Sequence, residues 1–142
     1  MEANKLLIEK FYTAFQQRDY STMQSCYADD AVFNDAVFTN LNADEVRAMW
    51  EMLIKKGKDL ELGFSHITAT TVTASAQWVA SYTFSATGRK VINRINANFE
   101  IEDGKITKHT DSFSFYRWSS QALGLIGILL GWTPFLQQKV QK

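Results

Sequence analysis

His109 and Asp111 are the residues of this chain best able to move a proton. They stand two positions apart in a run, Lys105 to Arg117, whose composition and alternation read as a β-strand. Thr107, His109, Asp111, Phe113 and Phe115 then share one face. Ile106, Lys108, Thr110, Ser112, Ser114 and Tyr116 share the other. The phenylalanine-bearing face suits an interior, which sets an acid and an imidazole side by side among aromatic rings. Burial raises a carboxyl pKa unless a cation such as His109 lowers it. Acids tuned in this way serve acid–base chemistry. The competing reading is an Asp–His pair at the mouth of a barrel, partly solvated and without a chemical role.

Asp35 is the third candidate. It closes a short apolar stretch, Ala31 to Asp35, and lies between Phe33 and Phe38. It is either an acid at a cavity edge or a turn residue bonding its own backbone. His66, at the end of the alternating Leu60, Leu62 and Phe64, reads as a satisfied structural histidine. Cys26 reads as a small buried hydrophobe. The chain lacks a glycine-rich phosphate loop, a G-x-S-x-G nucleophile elbow and an H-E-x-x-H pair. With two histidines and one cysteine, neither a histidine metal site nor a zinc cluster is expected. Any chemistry is expected to proceed without cofactor.

The elements that must position these residues follow from periodicity. Asn4 to Arg18 reads as a helix with Leu7, Phe11, Ala14 and Phe15 on one face. Ser21 to Tyr27 reads as a second helix capped by Ser21 and ended by Asp29 and Asp30. Ala31 to Asp35 reads as a short strand. Asn42 and Glu45 have the spacing of a capping box. The helix that they open carries Val46, Met49, Trp50 and Leu53 inward and stops at Gly57. Alternation of period two begins at Leu60. It continues through Thr73 to Phe84, Arg89 to Ile101 and Lys105 to Arg117, with Thr87-Gly88 and Asp103-Gly104 placed for hairpin turns. On the penultimate strand Val91, Asn93, Ile95, Ala97, Phe99 and Ile101 face inward, and Ile92, Arg94, Asn96, Asn98 and Glu100 outward. The expected architecture is α+β: a cone with three N-terminal helices packed in a strongly curved antiparallel sheet, closed by a C-terminal apolar helical segment.

At 142 residues the chain is expected to form one domain, spanning 1–142. Lysine plus arginine equal aspartate plus glutamate, 15 each, so nucleic acid is not an expected partner. The apolar run 123–136 is short and broken by Gly124, Gly127, Gly131 and Pro134, so a membrane span is not expected either. The first residues run directly into an amphipathic segment, which suggests a soluble cytoplasmic protein. Aromatic residues make up 13% of the chain, enough to fill a bulky core or wall a pocket.

Three stretches carry a resemblance. Phe11 to Tyr20, Cys26 to Asp35 and Phe99 to Thr107, in this order and at this length, resemble the nuclear transport factor 2-like superfamily. Within it they are similar to SnoaL-like polyketide cyclases, ketosteroid isomerases and limonene-epoxide hydrolases. The resemblance implies a fold that hosts enzymes, binding proteins and transport factors alike. Asp35 matches the general base of the isomerases. Their oxyanion donors fall on Phe11 and Ala97, which cannot donate. Tyr12 is adjacent to Phe11 but points about 100° away on a helix. Asp111 matches the acid/base aspartate of the cyclases and epoxide hydrolases. The Arg and second Asp of the hydrolases have no counterpart around Ser81-Tyr82-Thr83.

The expected function is therefore a pocket for a hydrophobic small molecule. Asp111 would be its acid/base, His109 the orienting partner or counter-charge, and Asp35 a second carboxylate. Phe11, Trp50, Trp78, Tyr82, Phe99 and Phe113 would form its walls. The reaction would be cofactor-free proton transfer on an apolar carbonyl compound. The alternatives are a non-catalytic carrier of a hydrophobic ligand, and an interaction domain. A homodimer through the outer sheet face is expected from the weakly charged row Arg94, Asn96, Asn98, Thr110, Ser112 and Ser114.

Overall fold

A computed structural model of the chain describes residues 2–35, 38–84 and 89–112. The elements run α1 (Glu2–Gln16), α2 (Tyr20–Ser25), β1 (Tyr27–Asn34), α3 (Ala43–Lys56), β2 (Glu61–Ala69), β3 (Thr73–Phe84), β4 (Arg89–Glu102) and β5 (Lys105–Ser112). Thr87-Gly88, Phe113, the end of the strand expected to reach Arg117 and the C-terminal segment 119–142 lie outside the described residues.

The helix α1 forms because Ile8, Phe11, Tyr12 and Phe15 recur at helical spacing and are all buried. This stripe is turned from the expected one: Tyr12 points inward, and Leu7 is only half-buried. The helix ends in a left-handed residue, Arg18, at φ 62°. Asp19 N–H donates to Ala14 O at 2.8 Å, which closes the last turn. A left-handed arginine costs about 1–2 kcal/mol, and its side chain offsets that. The guanidinium donates to the carbonyls of Leu60, Ile54 and Gly57, so one side chain seals the C-terminal end of α3 and ties it to the end of α1.

Asp19, rather than Ser21, caps α2. Its carboxylate accepts from Thr22 N–H and from the Thr22 hydroxyl, which holds its pKa below the usual value. That helix also stops sooner than periodicity suggested. Tyr27, Asp29 and Asp30 belong to β1. The cause is tertiary: Tyr27 pairs with Ile106 and Phe33 with His109, while a register shift between Tyr27 and Val32 leaves both aspartates exposed. Arg47 on α3 fastens this strand by donating to Tyr27 O at 2.8 Å and bridging Asp29 at 3.1 Å.

The α3 cap is as read. Asn42 accepts from Glu45 N–H, and Glu45 accepts from Asn42 N–H, both at 2.9 Å. Gly57 is required by crowding, since a Cβ there would lie 2.8 Å from Leu53 O.

The five-stranded sheet has the order β1-β5-β4-β3-β2. It is mixed rather than antiparallel, because β1 runs parallel to β5. A parallel neighbour needs a crossover, and α3 carries the chain from that edge to the opposite one. Asp103 and Gly104 both have positive φ, 51° and 74°, the geometry of the tight hairpin expected between β4 and β5. His66 departs from its reading. It sits at φ 56° within a bulge between Ser65 and Thr68, and the bulge turns it outward to solvent. The inner sheet face carries Ala74, Ala76, Trp78, Ala80 and Tyr82 from β3, and Asn93, Ile95, Ala97, Phe99 and Ile101 from β4, all buried. The helix α1 packs on β2 and β3, and α3 packs on β1. Among the described residues no helix is long and apolar enough to cross a membrane.

Two substitutions separate local from long-range anchoring. Asn42→Ala should cost about 1 kcal/mol through loss of the cap. Arg18→Ala should cost more, about 2 kcal/mol, because three carbonyls lose a charged donor. Urea unfolding of both variants checks the order; a smaller loss for Arg18→Ala would mean that its bonds are matched by water.

Candidate functional site

The parallel edge brings β1 against β5 and so places Tyr27 beneath His109. His109 is fully buried and Asp111 is 4% exposed, so this pair is interior and not a solvated pair at a barrel mouth. His109 Nε2 and Asp111 Oδ1 are 2.8 Å apart. His109 Nδ1 and the Tyr27 hydroxyl are also 2.8 Å apart. Trp50 Nε1–H donates to that hydroxyl at 2.8 Å. The result is a four-membered chain, Trp50–Tyr27–His109–Asp111, assembled from α3, β1 and β5.

Counting hydrogens orients the chain. Tryptophan can only donate. The Tyr27 oxygen therefore accepts from Trp50 and uses its own O–H on His109 Nδ1. His109 carries its proton on Nε2 and donates it to Asp111. Any tautomer with a proton on Nδ1 would leave the buried Tyr27 O–H without an acceptor in this chain, a loss of about 1–3 kcal/mol. Burial raises the Tyr27 phenol pKa well above its usual value, partly opposed by the bond from Trp50. The second oxygen of Asp111 makes no hydrogen bond among the described residues.

Aromatic rings enclose the imidazole. Phe99 packs at 4.3 Å between ring centroids and Phe33 meets it edge-on at 4.9 Å. Phe11 approaches edge-on at 5.9 Å, and Trp50 stacks at 6.2 Å. The expected wall residues Phe11, Trp50 and Phe99 thus converge on His109. Trp78 joins through Trp50 and Phe15, at 6.2 Å and 5.5 Å. Tyr82 is buried further along β3, where Asn93 Nδ2 approaches its hydroxyl at 3.5 Å. Asp35 is half-buried just beyond β1, in a turn: its Oδ1 accepts from Phe38 N–H at 2.7 Å, and its own N–H donates to Phe38 O at 3.0 Å. Phe113 is not among the described residues.

Two residues escaped the sequence reading. Tyr27 reads in the sequence as the last residue of a helix, and the His109 that it contacts is 82 positions away. Tyr12 was legible in principle from the spacing of Ile8, Phe11, Tyr12 and Phe15. Its hydroxyl is buried and has no hydrogen-bond partner among the described residues, and the same holds for Trp78 Nε1. Burial and then the charge of Asp111 push the Tyr12 phenol pKa well above its usual value.

Two cavities open on the outer sheet face. One, of about 480 Å³, is lined by residues including Thr70, Thr73, Ser75, Asn98, Glu100 and Lys108. The other, of about 350 Å³, is lined by residues including His66, Ser75, Gln77, Asn96 and Asn98. Neither is lined by His109 or Asp111, although Phe99 contributes to the first and Ala97 to the second. Among the described residues no group of three or more histidine, cysteine or acidic side chains is arranged to hold a metal ion.

Comparison with known proteins agrees with this architecture. The profile of a family described as a SnoaL-like domain matches residues 8–109. No curated protein matches the chain in sequence. Solved structures share the fold at low identity. IdmH from Streptomyces antibioticus, a proposed polyketide cyclase, is 21% identical with a TM-score of 0.69, over 87% of this chain and 98% of that one. An epoxide hydrolase of the LEH-like type from M. tuberculosis is 18% identical with a TM-score of 0.69, over 92% and 93%. An NTF2-like protein of unknown function from Burkholderia pseudomallei is 16% identical with a TM-score of 0.73, over 85% and 98%. The mixed sheet and its helices are consistent with the cone of that fold.

The hydrogen-bond chain makes a direct prediction. Nitrogen-15 NMR of the His109 ring should show Nε2 protonated and Nδ1 bare. Tyr27→Phe should destabilise the protein by about 3 kcal/mol, because Trp50 Nε1–H and His109 Nδ1 both lose their partner in a buried place. A proton found on Nδ1 of the unaltered protein would reverse the assignment.

Proposed function

The chain belongs to the SnoaL-like domain family, and from that premise we propose that it binds a hydrophobic small molecule and moves a proton on it with Asp111. The observation that carries this reading is the buried Trp50–Tyr27–His109–Asp111 chain. A carboxylate in an apolar interior is costly unless it is hydrogen-bonded, and this one is bonded through one oxygen. The second oxygen serves as acceptor for a proton next to a carbonyl. His109 holds Asp111 in place through Nε2. Tyr27 holds His109 in the tautomer that can do so. Phe11, Trp50, Trp78, Tyr82, Phe99 and Phe113 supply apolar walls, and Asp35 a second carboxylate at the end of β1. The reaction is a cofactor-free isomerisation or cyclisation of an apolar carbonyl compound. The donors of the steroid isomerases and the triad of the epoxide hydrolases are incomplete in this sequence, so neither of those reactions is assigned.

A non-catalytic carrier would use the same walls. Asp111 separates the two readings. Asparagine keeps the shape and an oxygen for His109 Nε2–H, so Asp111→Asn should change stability by only about 1 kcal/mol, a shift of a few degrees in Tm. Exchange of the α-protons of 2-tetralone in deuterated water, followed by NMR, should be accelerated by the unaltered protein. The variant should lose that acceleration by about a hundredfold or more. Equal rates for both would leave a carrier. A collapse of folding in the variant would make Asp111 structural.

We place a second copy of the chain on the outer sheet face and the protein in the cytoplasm. Arg94, Asn96, Asn98 and Ser112 are exposed there and Thr110 is half-buried, giving a polar face with little charge; Ser114 continues the row in the sequence. Light scattering at micromolar concentration should give twice the monomer mass, and a monomer mass would remove this assignment.

A further inference from the structure

The Tyr12 hydroxyl and the Trp78 indole N–H are both buried donors without a hydrogen-bond partner among the described residues. Buried donors are nearly always satisfied, and an orphaned one destabilises the fold. Two of them in packed rings, with centroids 6.1 Å apart, are a concentration of unused hydrogen-bonding capacity. They also lie close to the acid. The β-ladder sets Asp111 beside Ala97, and Ala97 beside Ala76, across β5, β4 and β3. Trp78 is the next inward residue after Ala76 on its strand. Ala97 and Ala76 thus keep the sheet surface low beside the carboxylate, while Ile95, the partner of Trp78, flanks the indole. Tyr12 stands over this strip from α1, stacked on Phe64 at 5.5 Å and meeting Phe99 edge-on at 6.3 Å. The phenol also senses the charge of Asp111 and keeps its proton well beyond the usual range.

We propose that Tyr12 O–H and Trp78 N–H are the donors that bind an oxygen of the ligand, the carbonyl whose neighbouring carbon loses its proton to Asp111. This rests on the reading of Asp111 as the base and adds what that reading lacks, a place for the negative charge. When the α-carbon loses its proton, the C–H electron pair becomes the new C=C bond of an enolate. The charge moves to oxygen, where preorganised donors stabilise it. The substrate class narrows accordingly, to planar apolar ketones that carry an α-hydrogen and whose oxygen lies on the α1 side of the Ala76–Ala97 strip. Neither donor coincides with Phe11 or Ala97, where the resemblance would have put them.

The test compares 2-naphthol, which resembles an enol, with naphthalene, which has the same rings and no oxygen. NMR titration should show that the unaltered protein prefers 2-naphthol. Tyr12→Phe should reduce that preference by about three- to tenfold, the worth of one hydrogen bond, with naphthalene binding unchanged. Trp78→Phe should reduce it in the same sense, and Asp111→Asn should keep it. The free Tyr12→Phe protein should melt at the same temperature or higher, because an orphaned hydroxyl has been removed. No preference in the unaltered protein, a preference untouched by Tyr12→Phe, or a lower melting temperature for that variant would overturn the proposal. Failure of the Asp111 reading would show elsewhere, as tetralone exchange that survives Asp111→Asn.

Discussion

An imidazole and a carboxylate in a dry interior must find their hydrogen bonds within the protein, and the rest of this structure follows from that requirement. His109 is buried among Phe11, Phe33 and Phe99, none of which can donate or accept. Its two ring nitrogens are satisfied by one neighbour on its own strand and one on another, Asp111 and Tyr27. Tyr27 in turn needs Trp50. Three elements, α3, β1 and β5, are therefore held in fixed relation by two bonds of 2.8 Å. In a low-dielectric interior, a chain of this kind is worth having only when complete, since each gap would cost more than a surface contact returns.

The polar groups that are not satisfied gain meaning by contrast. Asn4, Gln24 and Arg47 all find backbone carbonyls, although none belongs to the aromatic cluster. The fold thus satisfies its structural polar groups thoroughly. Tyr12 and Trp78 stand apart from that habit, in the region where one oxygen of Asp111 makes no hydrogen bond among the described residues. Strain or cost at a functional site is tolerated because the surroundings over-determine the geometry. Here the ring stack of Tyr12 with Phe64 and Trp78 does so.

Features set by neighbours in sequence were the ones that could be read in advance. The Asn42–Glu45 capping box, the Asp103-Gly104 hairpin and the inward alternation of β4 each depend on a few adjacent residues. The pairing of His109 with Asp111 was legible for the same reason, because period two places both on one face. What could not be read depends on distant partners. Nothing local in Tyr27 to Asp30 announces a strand; it becomes one because β5 offers an edge. The outward turn of His66 comes from a bulge that only the pairing with β3 defines. Arg18 looks like an ordinary surface arginine until the end of α3 and the turn after it present three carbonyls to it. Tyr12 is a different case: its burial follows from helical spacing, but its missing partner is visible only in three dimensions.

The parallel pairing of β1 with β5 joins an early part of the described chain to a late one, Tyr27 and His109 being 82 positions apart. Such contacts cannot form until the intervening chain has ordered, because closing a long loop is unfavourable before its contacts are made. The hairpins β2–β3, β3–β4 and β4–β5 involve shorter closures and suit early formation. Docking of β1 then suits a late step, and domains rich in distant pairings fold slowly. On this order, a chain still emerging from the ribosome has no complete acid–imidazole pair until β5 has left the exit tunnel. Until then Tyr27, Trp50 and the apolar rings around them are open to water and to other chains. The chemistry of the interior and the hazard of synthesis arise from the same strand.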